Sequence, residues 1–321
     1  MRRLRPAPPP PDAGLSELDS ATSRDAPAEP AAGAPRWPRP GLGRLVRRWP
    51  WLPILIILFV LVVPALFAPL LSPHDPLRGT LADRLLPPAW LDGGTWSHPL
   101  GTDKQGRDIL TRVIYGARIS LIVSSAAILI GAVLGSTLGL LAGYFGGAVD
   151  RVVSWLIDTF MSLPIVLLAL VVVAVIGPSF ITIITIISVT IWSSFARQVR
   201  GETLSVRESD YVARSRVAGA SAARILLRHV LPNVANTLIV LATLQVGVVI
   251  LEESSLSFIG AGIPRPQPSW GVMVAEGRDQ ITTAWWLTFF PGLAILVVVL
   301  SLNLLGDWLR DFLDPKIRQQ E

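Results

Sequence analysis

Residues 209–233, SDYVARSRVAGASAARILLRHVLPN, form a basic, helix-forming segment between two long apolar runs. The segment is too polar to lie in the bilayer. Its helix-capping and helix-ending residues are too regularly placed for a flexible linker. We expect Ser209 to cap a first helix and Gly219 to end it in a left-handed conformation. Ser221 is placed to cap a second helix that stops at Pro232. The segment therefore predicts a helix–glycine–helix hairpin, held at both ends by membrane spans and accessible to a soluble partner.

The whole chain has the composition of a membrane protein. Hydrophobic residues make up 51% of its 321 positions and charged residues only 16%, which is outside the range of ordinary soluble domains. Apolar stretches long enough to cross a hydrocarbon core of ~30 Å predict six spans. These spans cover about residues 51–71, 119–144, 153–176, 180–195, 234–251 and 284–305. The expected fold class is an all-α polytopic membrane protein.

Several chemistries are excluded or unsupported by residue content. The absence of cysteine rules out disulfides, thiolate metal sites and cysteine nucleophiles. His74, His98 and His229 lie far apart and follow no metal-ligand spacing, so we predict no metal site and no cofactor. No nucleophile elbow, phosphate loop or paired-histidine helix occurs in the chain. We therefore expect no catalytic residue, and any active process must draw its energy from another subunit or an ion gradient.

Basic residues indicate the orientation, because Lys and Arg concentrate in cytoplasmic loops. Arginines precede the first span, and seven more lie between the fourth and fifth spans: Arg197, Arg200, Arg207, Arg214, Arg216, Arg224 and Arg228. The segment after the first span is balanced in charge, and the loop after the fifth is acidic. This pattern predicts that both termini and the hairpin are cytoplasmic.

A row of small residues marks the second span. Gly131, Gly135, Gly139 and Gly143 are each four positions apart, so they share one helix face and allow a neighbouring backbone to approach closely. One interpretation is helix packing within the chain. The other is a face that slides against a partner helix during a conformational cycle.

Four polar or helix-breaking residues stand out near the ends of the spans. Asp158 lies inside the third predicted span, where snorkelling or an interfacial hydrogen bond can accommodate it, and Pro164 should kink the helix soon after. Glu252 and Glu253 are expected to mark a span end that is exposed to water. The run DKQGRD, 103–108, predicts an ordered turn at the entry of the second span rather than a calcium loop, since it lacks the closing Glu.

The hairpin resembles the cytoplasmic coupling loop, or "EAA" loop, of ABC importer permeases. That pattern runs Glu-Ala-Ala, three residues, Gly, nine residues, then Ile-x-Leu-Pro. Gly219 takes the position of the glycine, and His229-Val230-Leu231-Pro232 takes the ending. The opening falls on Ala213-Arg214-Ser215, so the acidic residue of the motif is absent.

Three further blocks narrow the resemblance. They are HPLGTDKQGRD with GARISL, then SLSFIGAGI followed by a Pro and Trp-Gly, and finally AWWLTFFPGLAI with NLLGDWLRDFLDP. Together they resemble the second permease of the dipeptide/oligopeptide/nickel-type importers, over roughly residues 50–318. The resemblance implies a type I ABC importer permease fold in the cytoplasmic membrane of a bacterium or archaeon. It also implies a second homologous permease, two cytoplasmic ABC ATPases and an extracytoplasmic substrate-binding protein as partners, and no nucleic acid.

Composition sets the first division of the chain: residues 1–42 are rich in Pro and Ala and show no apolar period, which predicts a disordered cytoplasmic tail. We expect 43–118 to form the first span and an extracytoplasmic segment, 119–310 the permease core with the coupling loop 198–233, and 311–321 a cytoplasmic tail. The resemblance also implies a site. Coupling to the ATPases is assigned to Asp210, Tyr211, Ala213, Arg214, Arg216, Ala218, Gly219, Ala220, Ser221, Arg224, Arg228, Leu231 and Pro232.

The expected function is therefore ATP-driven import of di- or oligopeptides, with this chain as the non-catalytic translocation subunit. Import of nickel or another small solute by the same family is the first alternative. A gradient-driven secondary carrier is a less favoured alternative, because no convincing internal repeat is found. An intramembrane protease is a third, opposed by the missing Ser/His or paired-Asp constellation.

Overall fold

The computed structural model describes residues 51–313, and these residues are almost entirely helical. Within that range, β-pairing is confined to an isolated antiparallel bridge between Thr102 and Asp108. The predicted tail 1–42 lies outside the described residues, as does all but the first three residues of the tail 311–321. The expectation of an all-α fold is confirmed.

Nine helices follow one another along the described chain. They are α1 (Trp51–Leu71), α2 (Ile109–Phe145), α3 (Gly147–Ser162), α4 (Ile165–Ile176), α5 (Phe180–Arg207), α6 (Asp210–Val217), α7 (Ala222–Ile259), α8 (Trp270–Gly277) and α9 (Trp286–Leu313). Helix α1 contains a π-helical stretch at Ile57–Val62, and α7 contains one at Leu226–Val230.

Five of these helices, α1, α2, α5, α7 and α9, are long and apolar enough to cross a membrane. Helices α3 and α4 make a sixth crossing only if they count together, because they are bent by 85° at the break between them. The predicted span over 153–176 is therefore broken into two helices, and the break falls at Pro164, where the kink was predicted. Leu163 and Pro164 are extended, with ψ of 123° and 117°, because proline disfavours helical backbone in the residue before it.

The first arm of the hairpin follows the fourth span after a two-residue break, and the second arm is continuous with the fifth span. Helix α5 runs on to Arg207, well beyond the predicted end of the fourth span, and α7 begins at Ala222. The second hairpin helix does not stop at Pro232, which corrects the prediction. The π-helical turn Leu226–Val230 widens the helix just before the proline. A proline that has no N–H to donate is tolerated there, and the helix continues to Ile259.

The glycine row of α2 lies against α5 of the same chain. A Cβ atom built on Gly135 would lie 2.2 Å from the carbonyl oxygen of Trp192, and one on Gly139 would lie 2.6 Å from that of Ala196. A Cβ on Gly131 would meet the side chain of Ile191 at 2.3 Å. The two backbones therefore approach as closely as the missing side chains allow. These contacts belong to the first of the two interpretations, packing within the chain.

Two apolar clusters join the helices into a bundle. One gathers residues of α2, α4, α5 and α7 around Val123, Ile183 and Ile187, which have no exposed surface. The other joins α1, α2, α7 and α9 around the buried Trp270 of α8. Elsewhere the helices present apolar side chains outward, as a lipid-facing surface requires: Leu70, Val175 and Ile181 are each about four-fifths exposed (82%, 81% and 78%).

Candidate functional site

The hairpin predicted from the sequence is formed by α6, a tight turn and the start of α7. Gly219 sits in the turn with φ of +80°, a left-handed conformation that favours glycine. Backbone N–H groups of Ala218 and Gly219 donate to the carbonyls of Arg214 and Arg216 at 2.9 and 3.0 Å. The Ser221 hydroxyl accepts from the backbone N–H of Arg224 at 3.4 Å and so caps α7. The reversal is thus closed by hydrogen bonds on both sides.

The cap predicted at the start of α6 is absent. Ser209 occupies the position before the helix, but its hydroxyl donates to the carbonyl of Val206 at 2.6 Å and caps no N–H of α6. Only two residues separate α5 from α6, so the hydroxyl reaches the open carbonyl end of α5 first. Its own carbonyl still accepts from the N–H groups of Val212 and Ala213, both at 3.1 Å.

A buried apolar cluster lies beneath the hairpin and makes it stiff. Val212 of α6 and Ile225, Val230 and Val234 of α7 have no exposed surface, and Val199 of α5 joins them. Partly buried side chains from the end of α2 and from α5 complete the packing: Leu140, Tyr144 and Val206. Both arms of the hairpin are therefore packed against the ends of two spans and move with them.

Polar contacts also link the hairpin and the ends of α2 and α5 to one another. Arg207 donates from Nη1 to the carbonyls of Gly143 and Tyr144 at 3.1 and 3.3 Å, which ties the end of α5 to the end of α2. The guanidinium of Arg216 lies 5.9 Å from the centre of the Tyr144 ring. Ser215 Oγ lies 3.3 Å from His229 Nε2 and so links α6 to α7.

Most of the residues assigned to coupling lie on the outer face of this hairpin. Ala220 and Leu231 are half-buried, and Ala220 packs against the cluster. The others are exposed: Asp210, Tyr211, Ala213, Arg214, Arg216, Ala218, Gly219, Ser221, Arg224, Arg228 and Pro232. Val217 and Leu227, which the sequence analysis did not single out, are 90% and 66% exposed on the same hairpin. The face combines apolar side chains with a strong positive charge.

Among residues 51–313, none of the arginines Arg214, Arg216, Arg224 and Arg228 takes part in an ion pair with an acidic side chain. Other arginines near this end do have acidic partners. Arg200 donates from Nη2 to Asp150 Oδ2 at 2.8 Å, and Arg197 lies 3.0 Å from Asp158. Asp158 thus has a hydrogen-bond partner on α5. The hairpin arginines stay available for acidic groups outside the described chain.

A second polar constellation lies at the opposite end of α2, whose 37 residues span about 55 Å. We call Asp103, Arg107, Arg112 and Glu276 the outer clamp. Arg107 Nε lies 2.6 Å from Asp103 Oδ2, and Arg112 Nη1 lies 2.5 Å from the same oxygen. Glu276 Oε2 accepts from both arginines at 3.2 and 2.9 Å. The run predicted as an ordered turn is therefore tied to α8, and it borders a cleft of about 230 Å³.

Glu253 departs from its predicted position. The side chain is 1% exposed rather than at a water-exposed span end, and its Oε1 accepts from Ser257 Oγ at 2.7 Å. Ser257 Oγ also accepts from the N–H of Ile263 at 3.1 Å, because the chain after α7 folds back over the helix. A pair of adjacent acids near the end of an apolar run gives no sign of this fold-back, so the sequence offers no signal for the burial of Glu253.

These features define a class: a polytopic helical membrane protein that presents a well-packed basic hairpin beyond its spans. The family model for the binding-protein-dependent transport system inner membrane component matches residues 135–319. The chain belongs to this family of multi-pass inner membrane transport components.

Curated relatives match over most of the chain. The di/tripeptide transport system permease protein DppC of Pseudomonas aeruginosa is 42% identical over 264 residues, which are 82% of this chain and 87% of that protein. The dipeptide transport system permease protein DppC of Haemophilus influenzae is 41% identical over 265 residues, 83% and 90% of the two chains. The glutathione transport system permease protein GsiD of Pectobacterium atrosepticum is 38% identical over 263 residues, 82% and 86%.

A solved structure supports the fold. A chain of the methionine ABC transporter MetNI, in an inward-facing conformation, aligns with a TM-score of 0.50 and 19% identity, over 63% of this chain and 96% of that one. The type I importer permease fold that the sequence resemblance implied is confirmed.

Proposed function

We propose that this chain is the translocation subunit of an ATP-driven importer of di- or oligopeptides. Two of the relatives described above are dipeptide or di/tripeptide permeases, and they align with this chain over more than four-fifths of their own length. In this proposal the chain forms part of the translocation pathway and transmits motion through the hairpin, and it catalyses no reaction. Hydrolysis of ATP therefore belongs to partner subunits.

The observation that carries this proposal is the construction of the hairpin. Its second arm is the start of α7 itself, its first arm, α6, follows α5 after only two residues, and a buried cluster packs both arms against the end of α2. A push on the exposed face of such a hairpin moves the spans as a rigid body, whereas a flexible loop would absorb the displacement. We infer that an ATPase subunit binds this face and that acidic groups on the ATPase pair with its arginines.

The assembly we propose contains a second, homologous permease, two ABC ATPases and an extracytoplasmic substrate-binding protein. The hairpin and both chain termini lie on the cytoplasmic side, which is supported by the excess of arginine at the hairpin end. The outer clamp then faces the side from which the binding protein delivers substrate. Selectivity is largely set by that protein, so this chain contributes a conduit and the coupling surface.

Reconstituted transport tests the proposal. This permease is co-expressed with the second permease and the ATPases, and the complex is placed in liposomes with its binding protein. We expect uptake of a labelled dipeptide that requires ATP and stops with a non-hydrolysable analogue. Labelled Ni²⁺ in parallel vesicles distinguishes the nickel alternative. Uptake by the purified single chain that follows an ion gradient and ignores ATP would contradict the proposal.

A further inference from the structure

Two of the three histidines of the chain meet at the outer-clamp end of the molecule. His74 lies in the connection that follows α1, and His98 lies in the turn before α2. Their ring centroids are 4.7 Å apart, with 31° between the ring planes. His98 Nδ1 lies 3.1 Å from Asp108 Oδ1. One potential metal-ligating atom from each of His74, His98 and Asp108 lies within 4.8 Å of the other two.

The Asp108 carboxylate of this cluster is held in place by contacts within the chain. Asp108 caps α2, and its Oδ2 accepts from the backbone N–H of Thr111 at 2.7 Å. That contact leaves Oδ1 directed at His98. The Asp108 side chain has no exposed surface and that of His98 is 11% exposed, while His74 is exposed. Two donors are thus held in place, and the third is free to turn toward them from the solvent side.

We propose that His74, His98 and Asp108 bind a divalent transition-metal cation of the Zn²⁺ type. Bonds of about 2.0–2.1 Å in a tetrahedral site place neighbouring donor atoms about 3.3–3.4 Å apart. The separation of 3.1 Å between His98 and Asp108 is close to this value. The ligand atom of the exposed His74 lies within 4.8 Å of the other two donor atoms, so it has to approach by about 1.5 Å at most. Water fills the fourth position.

The donor set selects the kind of cation. Two imidazoles with one carboxylate suit Zn²⁺, Co²⁺ or Ni²⁺, whereas Mg²⁺ and Ca²⁺ prefer sites built from oxygen alone. A bound ion joins His74, in the connection after α1, to Asp108, the residue that caps α2. The ion therefore cross-links the connection between α1 and α2, and its binding to the folded chain stabilises that chain by mass action.

Metal titration of the full-length chain tests this site. The chain is purified in detergent micelles with every affinity tag removed, since it has only three histidines and no cysteine to give background binding. Co²⁺ serves as the probe, because its visible absorption reports tetrahedral coordination, and Zn²⁺ is then added as competitor. The test variant is His74→Gln, which alters an exposed side chain, and the control is His229→Gln, on the hairpin at the other end of α2.

We expect the native chain to bind about one equivalent of Co²⁺ tetrahedrally and to release it to Zn²⁺ but not to Mg²⁺. His74→Gln should weaken binding at least about tenfold, and His229→Gln should bind as the native chain does. The proposal is overturned if the native chain gives no saturable Co²⁺ signal. It is equally overturned if His74→Gln binds as tightly as the native chain, or if His229→Gln is the variant that loses the signal.

Discussion

Arg112 and Glu276 are 164 positions apart in the chain, yet Arg112 Nη1 lies 2.9 Å from Glu276 Oε2. The Arg112 side chain is 1% exposed and that of Glu276 is 19% exposed, so this is a largely buried ion pair. The same guanidinium nitrogen lies 2.5 Å from Asp103. Arg112 and the likewise buried Arg107 thus hold the turn before α2 against α8 together.

Arg112→Leu should destabilise the folded chain strongly. The substitution leaves Asp103 with Arg107, and Glu276 with Arg107 and the exposed Arg265. Breaking a buried ion pair on one side costs about 3 kcal/mol or more. The measurement is the unfolding midpoint in detergent. Arg78→Leu is the control, because the Arg78 side chain is 89% exposed and its 3.5 Å pair with Asp75 contributes about 0.5 kcal/mol or less. Equal midpoints for the two variants would mean that the outer clamp does not stabilise the bundle.

The number and order of the spans could be predicted from the sequence, because a bilayer demands apolar runs of a minimum length. The sharpness of the break at Pro164 could not. Proline interrupts the helix on local grounds, but the 85° bend depends on how α4 packs against α5. At Pro232 the local rule for proline overstated the effect on the helix. The local rule predicted a helix end, and the π-helical turn before it lets the helix continue because both arms are held by the buried cluster.

Side-chain constellations made by distant segments gave weaker sequence signals than the hairpin did. Gly219 predicted the turn of the hairpin, because a tight turn between two helices locally requires a residue in the left-handed conformation. The meeting of His74 with His98 follows from the path of the connection between α1 and α2, which no spacing rule describes. The burial of Glu253 likewise follows from the fold-back after α7. Contacts between distant segments decide the His74–His98 contact and the burial of Glu253. The hydrophobic periodicity of a single sequence gives no information about such contacts.

Gly135→Ala should destabilise the chain, although alanine is the better helix former. A Cβ there would lie 2.2 Å from the Trp192 carbonyl oxygen, so α2 and α5 must separate, at a cost of about 1–3 kcal/mol. Gly201→Ala on α5 is the matched control, because nothing lies within 4 Å of its Cβ. That variant should be neutral or more stable by up to about 1 kcal/mol. Thermal unfolding in the same detergent compares them, and a Gly135→Ala chain as stable as Gly201→Ala would contradict the close packing.

Gly219→Pro should leave the chain inserted in the membrane but abolish transport and co-purification of the ATPases. Proline fixes φ near −65° and cannot adopt the observed +80°, and it removes the N–H that donates to Arg216. The hairpin then loses the shape that we propose the ATPase recognises. Gly219→Asn is the control, because asparagine tolerates the left-handed region and no atom lies within 4 Å of the new Cβ. Normal uptake and ATPase recovery with Gly219→Pro would remove the hairpin from the coupling mechanism.

Reversal of charge on the hairpin should weaken ATPase binding without unfolding the permease. Arg224 and Arg228 are exposed and form no ion pair within the described residues, so Arg224→Glu with Arg228→Glu breaks nothing inside the chain. Repulsion from acidic groups on the ATPase should reduce co-purification at low salt, and added salt should narrow the difference because it screens exposed charges. Arg310→Glu near the end of α9 makes the same kind of charge change away from the hairpin and should retain the ATPases. If Arg310→Glu lost them as readily as the double variant, a general charge effect would explain both, and the hairpin arginines would have no special part in docking.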